Sequence, residues 1–206
     1  TEGAFFSAED ADSEGVEGKF YVWTQEEVEQ VLGRKTASVA IPYYNITQAG
    51  NFEGKNIFNI TRGPETVAKE VGMQEADFKA ELKIARDKLL TVRSQRIRPL
   101  LDDKILTSWN ALMISAMAKT GRVLDDTDRI QKSVRAMEFL LSQLRTSEGK
   151  ILRRYRDGEA RYDGYLYDYT ATATACMDLY EATYEPHYIQ TARELMQRVE
   201  DKFQSA

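Results

Sequence analysis

Apolar residues recur at spacings of three and four along most of the chain. That period restricts the fold more than any other feature. Phe78, Leu82, Ala85, Leu89 and Val92 form one such stripe. Trp109, Leu112, Met113, Ala116 and Met117 form a second, and Ile130, Val134, Met137, Leu141 and Leu144 a third. Ala173, Cys176, Met177, Tyr180 and Tyr184 follow, then Ile189, Ala192, Leu195, Met196, Val199 and Phe203. Each set falls on one face of a helix and needs a partner surface to cover it. On this reading the five residues from Trp109 to Met117, the indole included, face a core.

The punctuation between stripes agrees. Thr24 followed by Glu27 is a capping box that opens a helix through Val28, Val31 and Leu32, and Gly33 is placed to end it in a left-handed conformation. Asp126 or Thr127 can cap the helix that starts near Ile130, and Pro186 suits the first turn of the last helix. Gly121, Gly149 and Gly164 sit in the connections. Short links between long helices predict antiparallel neighbours, a series of helical hairpins. Phe5-Phe6-Ser7 and Lys19–Trp23 are β-prone and predict an irregular hairpin around an acidic segment. Ile151–Arg156 with Asp157-Gly158 predicts a second strand and turn, and residues 45–63 a long loop of the kind that often carries function.

Composition removes several classes of function. At 206 residues the chain can bury a real core. Lys+Arg 28 against Asp+Glu 33 gives a net charge of -5, which argues against nucleic acid as a partner. The interleaved Arg153–Arg156 and Arg161–Tyr169 segment, basic and aromatic, is too short a patch to reverse that. No apolar run is long enough for a membrane helix. One cysteine, Cys176, forbids an intrachain disulfide and a CxxC pair, and one histidine, His187, forbids a histidine-rich metal site. No metal and no cofactor is expected. The lone thiol fits a reducing, cytoplasmic setting. The chain opens Thr-Glu-Gly-Ala without an initiator Met and stops just after an amphipathic pattern, and we expect a piece of a longer protein.

Three clusters could carry chemistry. Glu9, Asp10, Asp12 and Glu14 crowd the segment before Gly15. The spacing imitates the start of a calcium loop, but Tyr21 stands where the bidentate Glu belongs. Two readings stay open: a solvated acidic turn, or a substrate-facing loop in which crowded carboxylates raise one another's pKa for general acid work. The second cluster runs from Asp102 and Asp103 through Lys104 to Trp109 and Asn110. Carboxylates at a helix start favour its dipole, and an indole beside Asn and Asp can also stack on a sugar ring. The third holds Tyr165, Asp168 and Tyr169, which could line a polar pocket or serve as first-turn residues. Cys176, on an apolar helical face with no histidine near it, reads as an inert buried thiol.

Taken together these segments resemble the thioredoxin-domain-containing, spermatogenesis-associated (YyaL-like) family. The residues that carry the resemblance are Phe6–Gly15, Gly18–Thr24, Gly50-Asn51-Phe52-Glu53-Gly54, Asp102–Asn110 and Asp168-Tyr169, in that order along nearly the whole chain. Ala111 stands where the family has Gly and Thr170 where it has Ala. The resemblance implies a mainly α fold: a partial (α/α)6 toroid of antiparallel helical hairpins with one or two short β-hairpins. It resembles that of six-hairpin glycosidases and N-acylglucosamine 2-epimerases. It also implies that residues 1–206 are part of a single toroid domain, with a thioredoxin-like domain and the rest of the ring elsewhere in a longer chain.

The family brings no reaction that transfers residue by residue, and His187 lies in no epimerase motif. The expectation is therefore a carbohydrate-binding or carbohydrate-processing protein. Asp10, Asp12, Asp102 and Asp103 are the catalytic candidates. Glu9, Lys104, Trp109, Asn110, Tyr165, Asp168 and Tyr169 are the candidates for binding substrate. This chain alone is expected to be inactive. The alternative is a non-catalytic scaffold that partners a thioredoxin-like domain and self-associates through open toroid edges.

Overall fold

The computed structural model describes residues 3–203. The chain divides into two compact units, residues 9–100 and residues 3–8 with 101–203. The two-residue strands β1 (Ala8–Glu9) and β4 (Leu101–Asp102) mark where the chain passes from one to the other. The protein is mainly α, with a few short antiparallel strands.

The first unit, residues 9–100, begins with a minimal hairpin. β2 (Asp12–Ser13) pairs antiparallel with β3 (Val16–Glu17), and Glu14 (φ 54°) and Gly15 (φ 73°) make the turn. Two consecutive left-handed residues match the twist of a tight hairpin. Helix α1 (Gln25–Tyr43) opens with the capping box: Glu27 N–H donates to Thr24 Oγ1 at 3.1 Å and Thr24 N–H to Glu27 Oε2 at 2.9 Å. Gly33 interrupts α1 at φ 72°, ψ 165°, and the helix resumes at once. Helices α2 (Pro64–Glu70) and α3 (Glu75–Arg93) follow the long loop. α3 buries Phe78, Leu82, Ala85 and Leu89 against Val28, Leu32 and Ala40 of α1. A polar tie crosses that contact: Thr36 Oγ1 donates to Glu81 Oε1 at 2.5 Å, and Lys35 pairs with Glu81 at 2.7 Å.

The second unit is two helical hairpins joined by a small sheet. Helix α4 (Thr107–Val123) turns through three residues into α5 (Thr127–Gln143), which Asp126 caps by accepting Arg129 N–H at 2.9 Å. β5 (Ile105–Leu106), β6 (Leu152–Arg156) and β7 (Glu159–Asp163) form an antiparallel sheet in that order. Helix α6 (Leu166–Thr183) ends at Tyr184 in the left-handed region, and α7 (Pro186–Phe203) returns along it. α6 packs against α4, α5 and α7, which explains its broad buried surface from Tyr169 to Leu179.

Three expectations are corrected. The stripe from Trp109 to Met117 is not the core face of α4: Trp109, Leu112 and Met113 are exposed, and Ala111, Ile114, Ala118 and Gly121 are buried instead. Small residues face inward because the neighbours come close. A Cβ on Gly121 would meet Ile130 Cγ1 at 2.6 Å. Phe5–Ser7 forms no strand, and Lys19–Trp23 is a turn ending in a single bridge from Trp23 to Asn56, so the predicted hairpin is absent. Gly33 breaks its helix without stopping it.

Candidate functional site

At one end of the second unit a single buried carboxylate ties two helix starts together. Helix α4 has no side-chain cap of its own. Asp168, on α6, supplies the missing acceptor: Ser108 N–H donates to its Oδ1 at 3.2 Å. Its Oδ2 accepts Tyr165 N–H at 2.9 Å and Arg153 Nη1 at 3.2 Å. Asp168 thus satisfies an orphan donor on each helix and pairs with a cation from β6. Tyr169 beside it is buried, and its hydroxyl accepts Ile151 N–H at 3.1 Å. Asn110 is buried too. Its side chain accepts Phe5 N–H at 2.8 Å and donates to the carbonyls of Phe5 at 2.9 Å and Leu106 at 3.0 Å. These three residues spend their polar atoms on the fold, so they position the end rather than present it.

What they present is aromatic. Trp109 is 56% exposed, Tyr165 63% and Tyr167 56%, all at the end where α4 and α6 begin. Arg153 lies over the Tyr165 ring at 4.6 Å, which fixes its plane. Asp102 pairs with Lys104 at 3.0 Å, and that hydrogen bond holds its carboxyl below the ordinary range. Asp103 Oδ1 lies 2.7 Å from Arg156 Nε but out of line with the N–H, so the contact is ionic and makes no directed hydrogen bond. The second unit therefore groups Asp102, Asp103, Lys104, Trp109 and Tyr165 on the elements around one sheet and two helix starts.

Glu9, Asp10 and Asp12 belong to the first unit. Asp10 Oδ1 accepts Asp12 N–H at 3.2 Å, an Asx turn, and both residues are exposed. Glu9 accepts the Tyr21 hydroxyl at 2.7 Å and pairs with Arg98. The Tyr21 hydrogen bond, then Arg98, hold its carboxyl below the usual range, which suits a fixed anion and not a general acid. Arg96 secures the same region: Nη1 donates to the carbonyls of Phe20 at 3.0 Å and Val22 at 2.8 Å, and the guanidinium covers Trp23 at 3.9 Å. Among the described residues no group of three or more His, Cys, Asp or Glu side chains is placed to hold a metal ion. No described helix is long and apolar enough to cross a membrane.

Sequence reasoning missed a cavity of about 560 Å³ in the first unit, lined by Tyr21, Trp23, Tyr44 and Phe58 together with cations of α3. Arg86 and Arg93, seven apart on one helix face, were the available signal. The aromatic wall comes from separate segments and gave none.

Cys176 is buried beside Met137, with burial pushing its thiol from 9.0 up to about 12. The unfolded thiol ionises near 9.0 and the folded one near 12, so this group's contribution is intact below pH 9 and declines as pH rises through 12. At pH 8 a disulfide reagent such as dithionitrobenzoate should therefore react only at the rate of unfolding, and stoichiometric labelling within minutes under native conditions would contradict the burial.

The class these observations define is a mainly α protein of packed helical hairpins with small antiparallel sheets. No family model matches the chain. It is 30% identical over 97% of its length to spermatogenesis-associated protein 20 of Homo sapiens, and equally to that of Rattus norvegicus. It is 28% identical over 98% of its length to uncharacterized protein B0495.5 of Caenorhabditis elegans. The chain spans 30% of the length of the two mammalian relatives and 32% of the nematode one. Among solved structures, the Lin0763 protein from Listeria innocua matches 69% of this chain and 43% of its own, with a TM-score of 0.48 and 17% identity.

Proposed function

We propose that the end of the second unit is a carbohydrate-binding surface, and that it belongs to a longer helical-toroid protein which binds or processes a small carbohydrate. The observation that carries the reading is the exposure of Trp109 and Tyr165 where Asp168 locks two helix starts together. Rigid exposed rings are the usual platform for the apolar face of a sugar. Asp102, Asp103 and Lys104 are the groups that would meet its hydroxyls, with Asn110, Asp168 and Tyr169 holding the frame. Asp10 and Asp12, from the acidic loop of the first unit, remain catalytic candidates for the longer protein. Glycoside hydrolysis needs two carboxyl groups about 5–5.5 Å apart for retention or about 6.5–9.5 Å for inversion.

The test is a titration of the 15N-labelled chain with N-acetylglucosamine, glucose and cellobiose, followed at the Trp109 indole N–H. A saturable shift in the millimolar range is expected with at least one of them, weakened in Tyr165→Ala, which keeps the Trp109 reporter, and no turnover. An indole signal that stays fixed across the panel removes the carbohydrate reading.

A second reading has its own support. Leu112 and Met113 extend the exposed Trp109 along α4, and Met177 is exposed on α6, which favours a scaffold that self-associates through an uncovered face. Light scattering decides it: a monomer at about 100 μM would exclude this role for the face.

A further inference from the structure

The cavity of the first unit has two unlike walls. One is aromatic. The Trp23 and Phe58 rings lie 23° from parallel with centroids 6.3 Å apart, and Phe58 and Tyr44 lie 17° from parallel at 5.3 Å. Trp23 and Tyr44 form the inner part and Tyr21 the rim. The Tyr44 hydroxyl makes no hydrogen bond among the described residues, and burial pushes its pKa up, so at neutral pH it is a free donor.

The other wall is cationic. Lys83, Arg86 and Arg93 reach the cavity from one face of α3, with two turns between the two arginines, against the single carboxylate of Asp87. Lys83 and Asp87 neutralise each other at 3.0 Å. Arg86 and Arg93 take part in no salt bridge among the described residues. Arg93 is packed against the rings of Phe20 and Tyr21, at 5.6 and 5.7 Å, and its Nε is buried without a hydrogen-bond partner. A chain of net charge -5 thus places two guanidinium groups that form no salt bridge among the described residues beside a stack of aromatic rings. The volume, about 560 Å³, lies within the usual range for small-molecule sites.

We propose that this cavity binds a small, flat organic anion, an aromatic carboxylate. Its ring would lie against the aromatic wall and its carboxylate would meet Arg86 and Arg93. Each wall selects for one half of that description. A neutral ring gives neither guanidinium group a salt-bridge partner, and an aliphatic anion leaves the rings without a stacking partner. A cationic ring is repelled. The site is independent of the carbohydrate surface: it lies in the other unit and involves the other tryptophan.

Binding of 2-naphthoate and of its uncharged analogue 2-naphthamide to the 15N-labelled chain tests the proposal. The Trp23 indole N–H reports on this cavity, and that of Trp109 is the internal control. Naphthoate is expected to move the Trp23 signal saturably with a dissociation constant below about 1 mM, leaving Trp109 in place, and naphthamide to bind at least about ten-fold more weakly. Arg86→Gln, which removes an exposed group with no other charge partner, should weaken naphthoate about three- to ten-fold and leave naphthamide unchanged. The proposal is overturned if Trp23 does not respond at several millimolar. It is also overturned if the acid and the amide bind alike, or if Arg86→Gln binds naphthoate as the parent does.

Discussion

Replacing Asp168 with alanine is expected to lower the stability of the second unit by about 3–5 kcal/mol, from two helix-start N–H groups left without an acceptor at about 1–3 kcal/mol each and the space the carboxylate vacates. The residue is 0% exposed, and both of its oxygens are in use. Alanine would leave the N–H groups of Ser108 and Tyr165 without their acceptor and the Arg153 guanidinium without its counter-charge. The Arg153 share is modest, since that side chain is 40% exposed and water can answer it. Most of the loss should come from the two helix-start donors and the cavity. Asp168→Asn separates the contributions. An amide keeps one acceptor oxygen but turns an NH2 toward donors that already point inward, so an intermediate loss of about 2 kcal/mol is expected. Urea unfolding followed by far-ultraviolet circular dichroism measures both. A loss below about 1 kcal/mol for the alanine variant would mean that water replaces the carboxylate and that Asp168 does not tie the helix starts.

How much of this was legible in the sequence depends on how far apart the interacting residues lie. The Thr24–Glu27 box, the Asp126 cap and Pro186 at the start of α7 were readable because each acts within one turn. The hairpin at Asp157-Gly158 was readable for the same reason. The sequence shows α4 as a helix but not which face it buries. The three-and-four period fixes spacing, whereas the face is chosen by what the neighbours need. Here they need small residues, and Gly121 and Ala118 let α4 approach its partners where a larger side chain would hold them off. Phe5 read as a strand residue because nothing local shows that Asn110, 105 positions later, takes both of its backbone groups. The candidate site divides along the same line. Trp109, Asp102 and Asp103 stood out by type, but the work of Asp168 on Ser108, 60 residues away, could not be read from spacing.

The Gly50–Gly54 motif shows where sequence and structure meet most closely, and Gly50→Ala should be the more costly of two single-methyl changes there. Gly50 has φ +71°, and an added Cβ would collide with the Lys55 carbonyl oxygen and lie 2.5 Å from Lys55 N and 2.6 Å from the Gly54 carbonyl carbon. These are backbone atoms in a tight turn: the N–H groups of Asn51 and Phe52 both donate to the Lys55 carbonyl, at 2.8 and 2.9 Å. They cannot yield without breaking it. The neighbouring Asn56 would move as well, and it exchanges two backbone hydrogen bonds with Trp23, at 2.7 and 3.1 Å. We expect a loss of about 3 kcal/mol or more, from the left-handed backbone cost and the collision together. Gly54→Ala is the control. Gly54 also has a left-handed φ, +76°, but nothing lies within 4 Å of its added Cβ. It should cost only about 1 kcal/mol, for the backbone alone. Urea unfolding gives both values, and the Trp23 indole signal should shift in Gly50→Ala and stay in Gly54→Ala. Equal losses for the two would show that the Lys55 turn gives way freely, and that the loop does not hold Trp23 against its cavity.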